Sequence, residues 1–243
     1  MSNPYAPPVT SGFRTSPSGD PSAVRRWDLS IIGSAWTLMQ ARMGENIGVS
    51  LLTLGVGLVF TLMSAAVQQL ALRGGLDGDL AGLAGVVAQL VSLSGSVVQG
   101  YLGIGVLRFY LGQVRGEDVS FLEVFRGYRW VPSIVFGNVL VGFAVLASVV
   151  LLFIPAIVLG LGWMFWQSIV VDEDLGAIEA LSASWRLTKG SKLDLLVLAL
   201  VLGAINFGGV MLCGLGLLVT LPLSGLVTVM VYDNLRIVGP KSA

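Results

Sequence analysis

The chain has 243 residues, 55% of them hydrophobic and 12% charged, with fourteen basic residues against fourteen acidic ones and no histidine. A mean hydropathy of +0.86 lies far above the range of soluble domains, so an ordinary globular fold is excluded and a polytopic membrane protein is expected. Without histidine there is no Ser-His or Cys-His couple, no His-ligated zinc and no His ligand for haem.

In chain order, residues 1–25 hold five of the nine prolines and read as a disordered cytoplasmic tail. No basic, apolar and small-residue run marks a cleaved signal, and Ser2 in place of glycine gives no myristoylation site. A six-span membrane domain is expected over 26–238. It opens with Leu29, Ile32 and Trp36, apolar at i, i+3 and i+7 and so on one face of a helix, ahead of a first span at 47–71. The second, 82–112, exceeds the roughly 20 residues that a perpendicular crossing of about 30 Å needs, so it tilts, protrudes or breaks near the glycines of "GYLGIG". Phe121, Val124 and Tyr128 repeat the i, i+3, i+7 spacing before spans at 132–153 and 155–171, which meet at "FIPAIV" with Pro155 suited to a first helical turn. Ile178, Leu181 and Trp185 repeat it again before spans at 194–213 and 217–235, which meet at "CGLGLL". The single Cys213 has no partner for an intramolecular disulfide and reads as packing.

The expected fold class is therefore all-α, a bundle of six transmembrane helices. It is built from three repeats of a cytoplasmic amphipathic helix plus a two-span hairpin, about 27–113, 117–173 and 174–237. The alternative is three chance matches in a Leu- and Val-rich chain. In the repeat reading Trp36, Tyr128 and Trp185 sit at headgroup depth, and Arg186, Lys189 and Lys192 face anionic lipid. A core-packing role is the other reading of Trp185. Thirteen of the fourteen Lys and Arg fall ahead of the first span, in 108–130, in 172–194 or near the C-terminus, with Arg73 alone on the other side, which predicts six crossings with both termini cytoplasmic.

No span carries a charge near its centre. The polar groups there are amides, among them Gln99, Asn138, Gln167 and Asn206, which either bond a neighbouring helix or line a polar path. Small residues at four-residue spacing, such as Ser92, Ser96 and Gly100, Ala199 and Gly203, or Ala204 and Gly208, are candidates for close helix contact. The cluster Trp163, Phe165 and Trp166 reads as lipid-facing or packing, and the run Asp172, Glu173, Asp174 as a solvated span end that starts the next helix, with a cation site together with Glu179 as its alternative.

Two segments, "VVDEDLGAIEALSASWRLTKGSKLDLLVL" and "CGLGLLVTLPLSGLVTVMVYDNLR", resemble the YciC-like bacterial inner-membrane proteins and the membrane domain attached to some glycerophosphoryl diester phosphodiesterases. The residues that carry the resemblance are Ser184, Trp185, Lys189, Gly190, Pro222, Tyr232 and Arg236. It implies a bacterial cytoplasmic (inner) membrane location and the six-span fold, and little about activity; the soluble phosphodiesterase domain has no counterpart here.

Three functional classes are compatible with these features. The favoured one is a non-enzymatic scaffold or accessory subunit of a membrane complex that packs on other membrane proteins and holds anionic lipid. A carrier or channel for a small or lipid-like solute is supported by the amides, glycines and hairpins, and a lipid-modifying enzyme by no recognisable constellation. No catalytic residue, cofactor, metal or nucleic-acid partner is expected.

Overall fold

The computed structural model describes residues 29–74, 78–151, 153–212 and 214–238, without the side chains of 146–154. The tail over 1–25, Cys213 and Lys241 lie outside the described residues. Those described are mostly helical, with no strand among them, and six helical segments are long and apolar enough to cross a membrane.

A short helix, α1 (Ser30–Ala41), leads into α2 (Met43–Arg73) and α3 (Asp79–Val114). At 31 and 36 residues these two reach about 46 and 54 Å at 1.5 Å per residue, well beyond a hydrocarbon core of roughly 30 Å. Of the three fates open to the long second span, a break is removed: α3 runs unbroken through Gly100, Gly103 and Gly105. Its pairing with α2 is close, since a Cβ added at Gly95 would come 2.7 Å from the Phe60 side chain. Ser92 Oγ donates to Ser64 Oγ (3.0 Å), and Ser64 Oγ donates to the Ala88 carbonyl (3.2 Å).

The segment ahead of the third span is not an α-helix. It forms two 3-10 turns, Phe121–Phe125 and Gly127–Trp130, before α4 (Val131–Leu151). The cause lies on α3. The Val124 carbonyl occupies the space of a missing side chain at Gly105, where a Cβ would come 1.8 Å from that oxygen, and Gly127 presses on Ile104. Pressing the backbone onto α3 leaves no room for a helical cylinder.

The fourth span is likewise not one helix but two, α5 (Phe153–Gly162) and α6 (Trp166–Glu173), with a turn at 163–165 between them. Pro155 lies in the first turn of α5, as expected. Then follow α7 (Ala177–Leu187), α8 (Lys192–Met211) and α9 (Leu217–Val238). The turn between α8 and α9 is tight, with Gly214 at φ +76° and Gly216 so near Gly209 that a Cβ there would meet its Cα at 2.6 Å.

The core centres on α9, which packs against α1, α2, α3 and α8 and buries Leu226, Val227, Val231 and Tyr232 completely. Away from this core the apolar surface faces outward: Leu58, Leu62, Leu72 and Leu90 are all more than half exposed. An apolar exterior around the helices is what a lipid solvent requires. Of the expected small-residue positions Ser92 makes a close helix contact, with Ser64, but the glycines do not. A Cβ at Gly100, Gly203 or Gly208 would meet nothing within 4 Å, whereas Gly95, Gly105, Gly137 and Gly225 are each overlain by a neighbour.

Candidate functional site at the charged end of the bundle

Arg115 caps the C-terminal end of α3 and joins it to the ends of α6 and α9. Its Nη1 and Nη2 donate to the two carboxylate oxygens of Asp172 (2.5 and 2.9 Å), and Nη2 also donates to Asp233 (2.9 Å). Arg236 reaches the same Asp172 carboxylate and lies 3.4 Å from Glu173, while Tyr232 Oη donates to Asp172 Oδ2 at 2.9 Å. The Asp172 side chain is only 6% exposed. Hydrogen bonding to Asp172 holds the Arg115 guanidinium above its ordinary pKa, with burial opposing it less strongly. A forked guanidinium–carboxylate pair with the remaining lone pairs occupied is the strong form of such a contact.

The acidic run therefore does not behave as a solvated helix start. Asp172 and Glu173 are tied to α3 and α9. Asp174, in the left-handed region at φ 55°, accepts from Trp130 Nε1 at 2.9 Å and pairs with Arg129. It is Gly176, two residues on, that precedes α7. Further along the same end, Arg42 pairs with Asp118 (3.2 Å), and Glu123 takes both Arg108 (3.2 Å) and Arg126 (2.7 Å).

Next to this network α7 clamps the interruption between α5 and α6. Ser184 Oγ donates to the Gly162 carbonyl (3.0 Å) and accepts from the Phe165 amide (3.3 Å), and Thr188 Oγ1 lies 3.2 Å from the same carbonyl. A broken helix frees such backbone groups, and hydroxyls from a neighbouring helix satisfy them. All three hydroxyl and amide contacts are buried. The Trp185 ring lies across Gly162, where a Cβ would come 2.3 Å from it, and Lys192 Nζ stands 3.3 Å from the ring centroid on a cation–π contact. Trp185 is thus held between Gly162 and Lys192 with 36% of its surface exposed. The buried side of α7 is Ala177, Ala180, Leu181 and Ser184, and Ile178, Trp185, Arg186 and Lys189 are exposed.

The other aromatic trio members are also outward. Trp36 is 38% exposed beside a buried stripe of Ile31, Ala35 and Met39, and Tyr128 is 75% exposed. Arg186 donates to Ser182 Oγ (3.0 Å), and among the described residues neither it nor Lys192 makes an ion pair. Phe165 and Trp166 are buried, so they pack in the core and do not face lipid; the Phe165 and Tyr232 ring centroids are 5.9 Å apart.

The four amides each hydrogen-bond another helix. Gln99 on α3 donates to the Thr53 carbonyl of α2 (2.8 Å), Gln167 on α6 donates to Asn138 Oδ1 on α4 (3.4 Å), and Asn206 on α8 donates to Ser224 Oγ on α9 (2.9 Å). Sequence reasoning named these amides without their partners. It missed Arg115, Asp172 and Asp233 as a unit; the available signal was that charges of both signs stand at the ends of three spans on one side.

No protein-family model, curated protein or solved structure matches the chain.

Proposed function

We propose that the chain is a non-enzymatic integral membrane scaffold or accessory subunit that packs on other membrane proteins and holds anionic lipid at the outer face of α7. The observation that carries this reading is the two-sidedness of that helix. Its inner face is fastened to the α5/α6 junction by Ser184 and by its cap residue Thr188, and its outer face presents Trp185 and Arg186, followed by the exposed Lys189 in the next turn and the half-buried Lys192 at the start of α8. Arg108, Arg115, Arg129 and Arg236 are offset by carboxylates, but Arg186 and Lys192 contact a hydroxyl and a ring. Positive charge without a carboxylate beside an exposed tryptophan suits an anionic headgroup layer.

In this reading the chain sits in a bacterial inner membrane with both termini cytoplasmic, supported by the thirteen-to-one distribution of basic residues and by the resemblance to YciC-like proteins. The three units, each a short interfacial segment followed by two spans, are variants of one repeat whose second copy has tightened into 3-10 turns on Gly105. A carrier for a small or lipid-like solute is the second reading. It is favoured by the interrupted fourth span, since discontinuous helices are the usual way transporters expose backbone groups to a solute.

Native mass spectrometry of the detergent-purified chain tests the choice. Replacing Arg186, Lys189 and Lys192 together with Gln is expected to reduce retained phosphatidylglycerol at least fivefold without loss of helicity, since even one basic residue at the surface contributes about 1 kcal/mol. Unchanged retention, together with solute movement by the lone protein in liposomes, would favour the carrier.

A further inference from the structure

Between α3 and α4 runs an apolar groove of about 210 Å³, walled by Leu93, Gly100 and Ile104 on one side and by Val131, Ile134 and Val139 on the other. From Leu93 to Ile104 it extends about 16 Å at 1.5 Å per residue, close to half of a hydrocarbon core of roughly 30 Å. Its walls are apolar along almost the whole of that length, the lining a polymethylene chain would take. The wall is open at Gly100, where an added Cβ would meet no atom within 4 Å. Tyr101 fixes one side by donating its hydroxyl to the Phe125 carbonyl.

The mouth of the groove carries the charge that an acyl chain's headgroup would need. Gly100, Ile104 and Arg108 follow one another at four-residue intervals on one face of α3, so Arg108 stands one turn above the groove. Its guanidinium lies 5.6 Å from the centroid of Trp130, the residue before Val131. Glu123 is shared by Arg108 and Arg126, two cations on one carboxylate, with Arg108 46% and Arg126 72% exposed. One unit of positive charge is left over beside an aromatic ring at the end of the apolar groove.

We infer that the α3/α4 groove holds one acyl chain of an anionic phospholipid, its phosphate against Arg108 and Arg126. This rests on the lipid-holding reading above but uses different residues. The surplus positive charge at the mouth favours an anionic headgroup over an apolar partner helix, and a free phosphate would leave the apolar length unfilled.

The test uses the full chain purified in mild detergent and exchanged into micelles doped with phosphatidylglycerol or phosphatidylcholine, read by native mass spectrometry and circular dichroism. One phosphatidylglycerol per chain should survive mild activation in the wild type. Gly100→Leu, which fills the groove from α3, and Val135→Phe, which fills it from α4, should each reduce that bound lipid at least fivefold with helicity unchanged. Arg108→Gln should retain a lipid but lose about fivefold of the preference for phosphatidylglycerol over phosphatidylcholine. Full retention in both filling variants overturns the inference, as does undiminished headgroup preference in Arg108→Gln. The Arg186, Lys189 and Lys192 Gln variant separates the two sites. If it alone loses lipid, the groove is wrong and the α7 reading stands; if only the groove variants lose lipid, the reverse holds.

Discussion

Replacing Asp172 with Asn keeps the shape of the side chain that binds three helix ends together and removes its charge. In the wild type that carboxylate accepts from Arg115, Arg236 and Tyr232 while almost wholly buried. Removing one partner of a buried ion pair commonly costs about 3–5 kcal/mol, because the other charge is left without compensation. Two features reduce that here. Arg115 is 27% exposed and keeps Asp233, and Arg236 keeps Glu173. A loss of about 2–3 kcal/mol is expected, which at roughly 2–4 °C per kcal/mol for a chain of this size lowers the apparent unfolding midpoint in detergent by about 4–12 °C. Glu117→Gln, on an exposed side chain that makes no ion pair among the described residues, is the control and should leave the midpoint within about 1 °C. The pair Arg115→Gln and Asp172→Asn should be less destabilising together than the sum of the two, by about 1 kcal/mol or more. Strict additivity, or an Asp172→Asn midpoint indistinguishable from the control, would refute the claim that the network holds α3, α6 and α9 together.

Ser184→Ala combined with Thr188→Val leaves the Gly162 carbonyl and the Phe165 amide without their side-chain partners, so a loss of about 2–4 kcal/mol is expected in the same thermal assay. Hydrogen exchange should rise at 162–166 first, and a uniform rise over all helices would speak against a local clamp. Gly105→Ala sets a Cβ against the Val124 backbone oxygen, which cannot move as a flexible side chain would, and should cost about 1–3 kcal/mol or more. Gly82→Ala, in open space on the same helix, should be neutral or stabilising by about 0.5–1 kcal/mol, so equal effects of the two would contradict the close approach of the 121–130 segment to α3.

The spans were legible because lipid demands continuous apolar helices, a local property that any window of "LLTLGVGLVFTLM" displays. What the sequence hid depends on contacts between distant residues. The fourth span looks unbroken in isolation; the interruption is stabilised by hydroxyls 22 and 26 residues beyond Gly162. The i, i+3, i+7 spacing of Phe121, Val124 and Tyr128 is a good helical pattern, yet Gly105 on α3 draws that segment into 3-10 turns. Arg115 meets Asp172 and Asp233 across 57 and 118 positions, so a solvated acidic run was the reasonable reading until the three helix ends were brought together. Trp36, Tyr128 and Trp185 are all exposed in part, but Val124 and Leu181, which share the spacing with Tyr128 and Trp185, are buried, because which residue of each pattern turns inward depends on the helices packed against it.

The proposed function requires six membrane crossings with the Arg115 network, α7 and the groove mouth all on one side. Single cysteines placed by Asp77→Cys and by Lys189→Cys in a Cys213→Ser background test this most directly, with a membrane-impermeant maleimide added to intact cells. The account predicts that the cysteine at 77 is labelled and that the one at 189 is labelled only after the membrane is opened. Equal labelling of both from outside would contradict it.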